Sequence, residues 1–201
     1  MFSFKNKTIF LTGSTGGIGK EIAFQMSSLG AKIILTGTNK EKLKDLSNKL
    51  PNENDYIVSN LNNSQNIDQL SNKLIERGYS IDILINNAGI TKDNLFLRMK
   101  EDEWTSVLNI NLNSTVLLTQ KIIRGMIKRK FGRIIFITSI IGHSGNPGQS
   151  NYVASKSGMI GLPLRLLTRE VFDKMVSKVG PSRVAMITGE ERIIPDNPRY
   201  W

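Results

Sequence analysis

Residues 7–30 read KTIFLTGSTGGIGKEIAFQMSSLG, and this stretch decides the fold. Lys7 to Leu11 form a short apolar run rich in β-formers, as a buried strand does. The run stops at Thr12 and Gly13, and glycines recur at 16, 17 and 19. A helical pattern then opens at Lys20 and runs to Leu29, with Gly30 placed to cap its C-terminus. Strand, glycine turn and helix in that order make the opening unit of a parallel sheet.

The same alternation continues. Strands are predicted at residues 31–35, 56–58, 81–85 and 133–138, and helices at 40–50, 64–77, 101–111 and 112–130. Asn39 is placed to cap the second helix and Gly78 to end the third. The strands are apolar nearly throughout, which indicates a sheet covered by helices on both faces. The expected fold is therefore α/β, a doubly wound Rossmann-like parallel sheet.

Composition narrows the function classes. The 201 residues carry 39% hydrophobic and 22% charged side chains, ordinary for a globular domain. No apolar run approaches the roughly 20 residues of a membrane span, and the N-terminus enters a strand with no signal-peptide pattern, so a cytoplasmic setting is expected. Without cysteine, disulfides and thiolate metal sites are excluded, and one histidine argues against a histidine-based metal centre. The net charge of +10 raises nucleic acid as a partner, but the excess is dispersed. Only KIIRGMIKRKFGR, residues 121–133, concentrates six cations without an acid. That run reads equally as a solvated helix face.

The glycine turn carries the first chemical signal. Gly13, Gly17 and Gly19 permit a tight turn, let backbone N–H groups approach a pyrophosphate and set a helix N-terminus behind the anion. At the end of the second strand an acid would hold the ribose 2′-OH of NAD. The sequence has Thr36-Gly37-Thr38-Asn39-Lys40 instead, which favours NADP. Lys40 is also a plausible solvent-facing helix residue. A second signal lies in SNYVASKSGMIGLPLRLL, residues 150–167. Tyr152 and Lys156 are one helical turn apart, so they share a face. A lysine held there lowers the phenol's pKa and readies it for proton transfer, unless the two are a plain surface pair. Farther on, Gly158, Gly161 and Pro163 are awkward for a helix interior.

Together TGSTGGIG, INNAG (residues 85–89), Ser139 after the fifth strand and Tyr152-x3-Lys156 resemble the short-chain dehydrogenases/reductases. INNAGITKDNLFLRMKEDEW (residues 85–104) is similar to the bacterial 3-oxoacyl-[acyl-carrier-protein] reductases. That resemblance covers residues 1–162, taken as an NADP-binding domain. It implies NADPH-dependent reduction of 3-oxoacyl thioesters in fatty-acid synthesis. It implies Asn111, Ser139, Tyr152 and Lys156 as catalytic residues. Tyr152 would protonate the ketone oxygen, Ser139 would hydrogen-bond it, Lys156 would tune the tyrosine and bind the nicotinamide ribose, and Asn111 would hold a water. Gly13, Ser14, Thr15, Gly16, Gly17, Gly19, Thr38, Asn60, Leu61 and Asn87, with Tyr152 and Lys156, would contact the cofactor. Where many NADPH-using relatives carry a basic residue, this chain has Gly16. His143 is taken as a loop residue. Lys128, Arg129 and Lys130 are the candidates for docking an acidic acyl carrier protein, and family members assemble as homo-oligomers.

After residue 162 the family pattern fades: the chain ends at Trp201 before the expected sixth-strand Pro-Gly, lid and seventh strand. The tail, residues 158–201, with PLRLL and TGEER, resembles a segment of RNA helicases akin to the mitochondrial degradosome enzyme, and residues 163–201 are taken as foreign to the reductase domain. A fusion of two gene fragments is the expectation. A non-catalytic remnant with weak NADP binding and, lowest, an RNA-binding fragment are the alternatives to the enzyme. On physical grounds residues 164–179 carry a helical apolar stripe, and residues 183–188 make a strand suited to a place beside the fifth.

Overall fold

The computed structural model describes residues 3–165, 186–187 and 192–193. The chain divides into two compact units, Met1–Lys156 and Ser157–Trp201. In the first, five parallel strands, β1 (Thr8–Leu11), β2 (Lys32–Gly37), β3 (Asn54–Val58), β4 (Ile83–Asn86) and β5 (Arg133–Phe136), lie in the order β3-β2-β1-β4-β5. The chain winds outward from β1 through β2 to β3, then returns to β4 on the other side. The order therefore reverses between β1 and β4, and a crevice opens there at the carboxyl ends of the strands.

Alternation along each strand sorts the core into two layers. Phe10, Ile34, Ile57 and Leu84 point to one face, against α3 (Ser64–Glu76) and α5 (Ser114–Arg129). Ile9, Leu11, Ile33, Leu35, Ile83 and Ile85 point to the other, against α1 (Gly17–Ser28) and α2 (Lys40–Lys49). Cross-strand register joins like with like: Phe10 pairs with Ile34 and Leu84, and Ile9 with Ile33 and Ile83. The doubly wound fold expected from the sequence is present. Asn39 caps α2, its side chain accepting the Lys42 N–H at 2.8 Å, and Asn63 caps α3 in the same way.

Two expectations change. The helices predicted at residues 101–111 and 112–130 form one continuous helical run. It passes from α4 (Glu101–Leu108) through a π turn (Asn109–Asn113) into α5. Ser114 Oγ donates to the Ile110 carbonyl at 2.6 Å and Thr115 Oγ1 to the Asn111 carbonyl at 2.8 Å, supplying bonds within the widened turn. Insertions of this kind re-aim a side chain and gather at functional sites. His143, expected in a loop, lies in a short helical turn, α6 (Ile141–Ser144).

The helix α7 (Ser150–Arg165) runs through position 163 despite the proline. Of the strand expected at residues 183–188, Met186–Ile187 is a strand, β6, and it pairs antiparallel with Arg192–Ile193, β7. The ladder that holds it is thus the two-stranded β6-β7 pair rather than the five-stranded sheet. The apolar stripe at residues 164–179 falls outside the described residues beyond 165. No helix among the described residues is long and apolar enough to cross a membrane.

A charged cluster pins the outer strand. Asp55 on β3 accepts from Arg77 Nη1 at 2.6 Å, from the Tyr79 hydroxyl and from the Tyr56 N–H at 2.7 Å. Burial opposes its ionisation, but these donors prevail and hold its carboxyl below the ordinary range. The folded state therefore binds this proton more weakly than the unfolded chain. The stability it contributes is present above the ordinary carboxylate pKa and is lost as pH falls through the lower folded value. Asp55→Asn is expected to cost no more than about 1 kcal/mol at neutral pH. It should also flatten the fall in stability below about pH 4. Urea unfolding across that range reads both effects.

Candidate active site

The cleft at the carboxyl ends of β1, β2 and β4 has a volume of about 530 Å³. Its floor is the glycine turn, and two backbone approaches there demand glycine. Gly13 has a φ of +60°, and a Cβ on it would lie 2.7 Å from Ala88 Cα. A Cβ on Gly19 would overlap the Gly13 carbonyl oxygen and stand 2.9 Å from Ser14 Cα. Helix α1 starts from Gly16 with no side chain capping its first N–H groups, and Gly17 has open space around it. Such an end, beside a cleft, suits a pyrophosphate.

Thr12, which the motif reading passed over, ties the floor to the next strand. Its Oγ1 accepts the N–H groups of Asn87 and Ala88, each at 3.0 Å, while it is itself buried. Asn87 Nδ2 reaches back to the carbonyls of Thr12 at 3.1 Å and Gly13 at 3.0 Å. The ends of β1 and β4 are thereby locked in register around the cleft. A buried threonine immediately after an apolar strand was the available signal.

Most of the expected cofactor residues line this cleft: Gly13, Thr15, Gly16, Gly17, Gly19, Thr38, Asn60, Leu61 and Asn87. Ser14 does not. Its N–H and Oγ both donate to the Thr36 carbonyl, at 3.1 and 3.0 Å, so it fastens β1 to β2. Lys40 also stands apart, along a groove at the β3 edge with Asp55 and Arg77. Thr36 and Gly37, read from sequence as the discriminating end of β2, and Ala88 and Gly89 of the INNAG motif also line the cleft, and so does Ser59, which no sequence signal marks.

At its far end the cleft meets Tyr152 and Lys156 on α7, with Ile137 and Thr138. Lys156 is 3% exposed, and its Nζ donates to the Ile137 carbonyl at 2.7 Å. Burial pulls its pKa below the ordinary lysine value. The same Nζ stands 5.5 Å from the centre of the Tyr152 ring. The expected lowering of the tyrosine is not what this arrangement gives. Burial of the phenol, with the Asp93 carboxylate adding to it, holds the Tyr152 pKa above its ordinary value. The Lys156 ammonium is directed to a carbonyl and to the face of the ring.

Asn111, carried inward by the π turn, is fully buried. Its Oδ1 accepts the Ile90 N–H at 2.8 Å, and its Nδ2 donates to the Ile90 carbonyl and to Ser155 Oγ, both at 3.0 Å. The side-chain amide thus ties the loop after β4 to α7. It lies directly behind the cleft wall: a Cβ on Gly89 would be 3.3 Å from Asn111 Oδ1 and 3.7 Å from Lys156 Nζ. Ser139 is half-buried in the turn before α6, its carbonyl accepting the Gly142 N–H at 3.0 Å, and it does not line the cleft. Tyr152 and Lys156 thus line the cleft, Asn111 lies behind its wall, and Ser139 directly follows the lining residue Thr138. Lys128, Arg129 and Lys130 close α5 near the start of the strands, where Arg129 Nη2 donates to the Ile81 carbonyl at 2.5 Å. The cleft opens at the other edge of the sheet.

The short chain dehydrogenase family model matches residues 7–188. The chain belongs to that family. Among its relatives, the 3-oxoacyl-[acyl-carrier-protein] reductase of Rickettsia bellii is 46% identical over 162 residues, 81% of this chain. This chain spans about two thirds, 66%, of that relative's length. The reductase of the same name from Salmonella typhimurium is 38% identical over 200 residues, 98% of this chain and 80% of the relative. A metagenomic short-chain oxidoreductase, solved in complex with NADP, superposes with a TM-score of 0.77 at 28% identity, covering 87% of this chain and 78% of its own. The family match passes residue 162, and the Salmonella alignment takes in nearly the whole tail. The helicase resemblance of that tail therefore gains no support.

Proposed function

We propose that the chain is an NADPH-dependent reductase of 3-oxoacyl thioesters presented by acyl carrier protein, and that Tyr152 and Lys156 carry its chemistry. The observation behind this reading is one continuous cleft with an uncapped helix start at one end and a phenol beside a buried lysine at the other. The names of the Rickettsia and Salmonella relatives supply the substrate class. The wall at the end of β2, Thr36-Gly37-Thr38, has no carboxylate to repel a 2′-phosphate, which favours NADP over NAD.

The residues present fit such a cofactor. Gly13, Gly16, Gly17 and Gly19 would take the pyrophosphate, Thr38, Asn60 and Leu61 the adenosine end, and Asn87, Tyr152 and Lys156 the nicotinamide end. When bound, the reduced nicotinamide supplies the hydride. Tyr152 gives its phenolic proton to the ketone oxygen as the carbon is reduced. Lys156, fixed by the Ile137 carbonyl beside the Tyr152 ring, would bind the nicotinamide ribose. Asn111 fixes Ile90 and Ser155, and so keeps the loop after β4 and α7 at a set separation. The carrier protein is acidic in this reading, and Lys128 and Lys130 are exposed cations of the right sign to meet it.

The alternative is a chain that binds the dinucleotide without turnover. One assay separates the two. Consumption of NADPH with an acetoacetyl thioester should exceed that of NADH at least tenfold in kcat/KM. Tight NADPH binding with no consumption would establish the second reading instead.

A further inference from the structure

Asn151 stands immediately before Tyr152 and is fully buried. A buried carboxamide carries two N–H groups and a carbonyl oxygen, each costly to leave unpaired. Asn151 uses all three. Its Nδ2 donates to the Lys92 carbonyl at 2.9 Å and to the Glu103 carbonyl at 3.0 Å, and its Oδ1 accepts the Tyr152 N–H at 2.7 Å. One side chain thereby joins the loop after β4, helix α4 and the first turn of α7. The Tyr152 N–H belongs to that first turn, where a helix has no partner of its own to offer; the α7 ladder begins one residue later, with the Val153 N–H donating to the Gln149 carbonyl at 2.8 Å.

The other side of Tyr152 is held as well. Ser155 Oγ donates to the Tyr152 carbonyl at 2.7 Å and accepts from Asn111 Nδ2, which also bonds Ile90. The backbone of Tyr152 is therefore bracketed, its N–H by Asn151 and its carbonyl by Ser155. Both brackets lead to the same loop, whose residues Gly89, Ile90 and Thr91 line the cleft. We propose that Asn151 is a positioning residue for proton transfer: by fastening α7 to the carbonyls of Lys92 and Glu103, it sets how far the Tyr152 hydroxyl reaches into the cleft. The inference rests on the reading of Tyr152 as the proton donor. Asparagine is the residue type that the position requires. A leucine of similar size would leave the two carbonyls and the Tyr152 N–H without this partner, and an aspartate would set a carboxylate against two carbonyl oxygens. Proton transfer needs hydrogen-bond reach, so a displacement of about 1 Å costs rate on the order of 10²-fold. The glycine turn lies at the other end of the cleft and is left as it was.

Asn151→Ala removes the three bonds. Its kcat should fall by about 10–10²-fold with the Kd for NADPH within about twofold of wild type. In a Tyr152→Phe chain the same change should lower the residual rate by less than about twofold, because no hydroxyl is left to misplace. Equal losses in the two backgrounds would overturn the inference. Nitration by tetranitromethane, mapped to each tyrosine, reads the placement without turnover. Tyr152, Tyr56 and Tyr79 are all half-buried. In Asn151→Ala the Tyr152 ring alone should react faster, by at least about threefold, as its local hold opens. Unchanged nitration of Tyr152, or equal acceleration of all three rings, would overturn the inference. Should Asn151→Ala not fold, Asn151→Ser keeps one hydroxyl donor and should give the same selective change at smaller amplitude. Selective nitration in a chain that reduces no 3-oxoacyl thioester would sustain the placement of Tyr152 by Asn151 while removing the proposed reaction.

Discussion

Replacing Tyr152 with phenylalanine is expected to cut carbonyl reduction by roughly 10²–10⁴-fold while leaving dinucleotide affinity within about twofold. The substitution deletes one hydroxyl from a half-buried ring and leaves the apolar body in place. The backbone of residue 152 stays pinned by Asn151, and Lys156 keeps its bond to the Ile137 carbonyl. What disappears is the proton donor. Because kcat should fall without a matching rise in the Kd for NADPH, single-turnover kinetics beside a binding titration separate the chemical loss from any loss of fold. The wild-type rate should also hold up to alkaline pH. Tyr152 titrates above the ordinary tyrosine value, so protonated enzyme persists past about pH 10, provided the fold does.

Gly19→Ala carries the second large effect, and it strikes binding. The added methyl would overlap the Gly13 carbonyl and sit 2.8 Å from Asn87 Nδ2 and 2.9 Å from Ser14 Cα. Two of those neighbours are backbone, and Asn87 is held by Thr12 and Gly13, so none can yield cheaply. The turn must open, at a cost of about 1–3 kcal/mol in stability. Opening moves the start of α1 away from the position where its free N–H groups converge. NADPH affinity should fall at least tenfold, and urea unfolding should show the destabilisation. By contrast Gly17→Ala, with open space at its Cβ, should leave the fold intact. The pair distinguishes a glycine required by packing from one that is merely present.

The layered sheet was legible because apolar runs with flanking glycines speak directly to burial. Phe10, Ile34 and Leu84 on one face, and Ile9, Ile33 and Ile83 on the other, follow from strand alternation alone. The site was legible in its outline and less so in its directions. A glycine-rich turn does not say which of its residues face the ligand, and Ser14 turns to the Thr36 carbonyl. The spacing of Tyr152 and Lys156 put both on one face, but the Ile137 carbonyl that takes the ammonium comes from the end of β5. The direction of the tyrosine's shift follows from burial of its phenol and from Asp93, which spacing does not reveal. NINLN read as a break between helices because a π turn adds one residue without any characteristic composition; the buried Asn111 is its outcome. Lys40 had the right charge and the right place in sequence, yet α2 carries it to the β3 edge.

The central claim is that this cleft delivers a hydride to a 3-oxoacyl thioester while Tyr152 delivers the proton. The direct measurement supplies the chain with NADPH carrying deuterium at both positions of the nicotinamide C4, together with an acetoacetyl thioester, and weighs the product. The expected product is a 3-hydroxyacyl thioester with one deuterium on the reduced carbon, formed by wild type and not by Tyr152→Phe. Bound NADPH with no labelled product, or label transferred equally well by Tyr152→Phe, would contradict it.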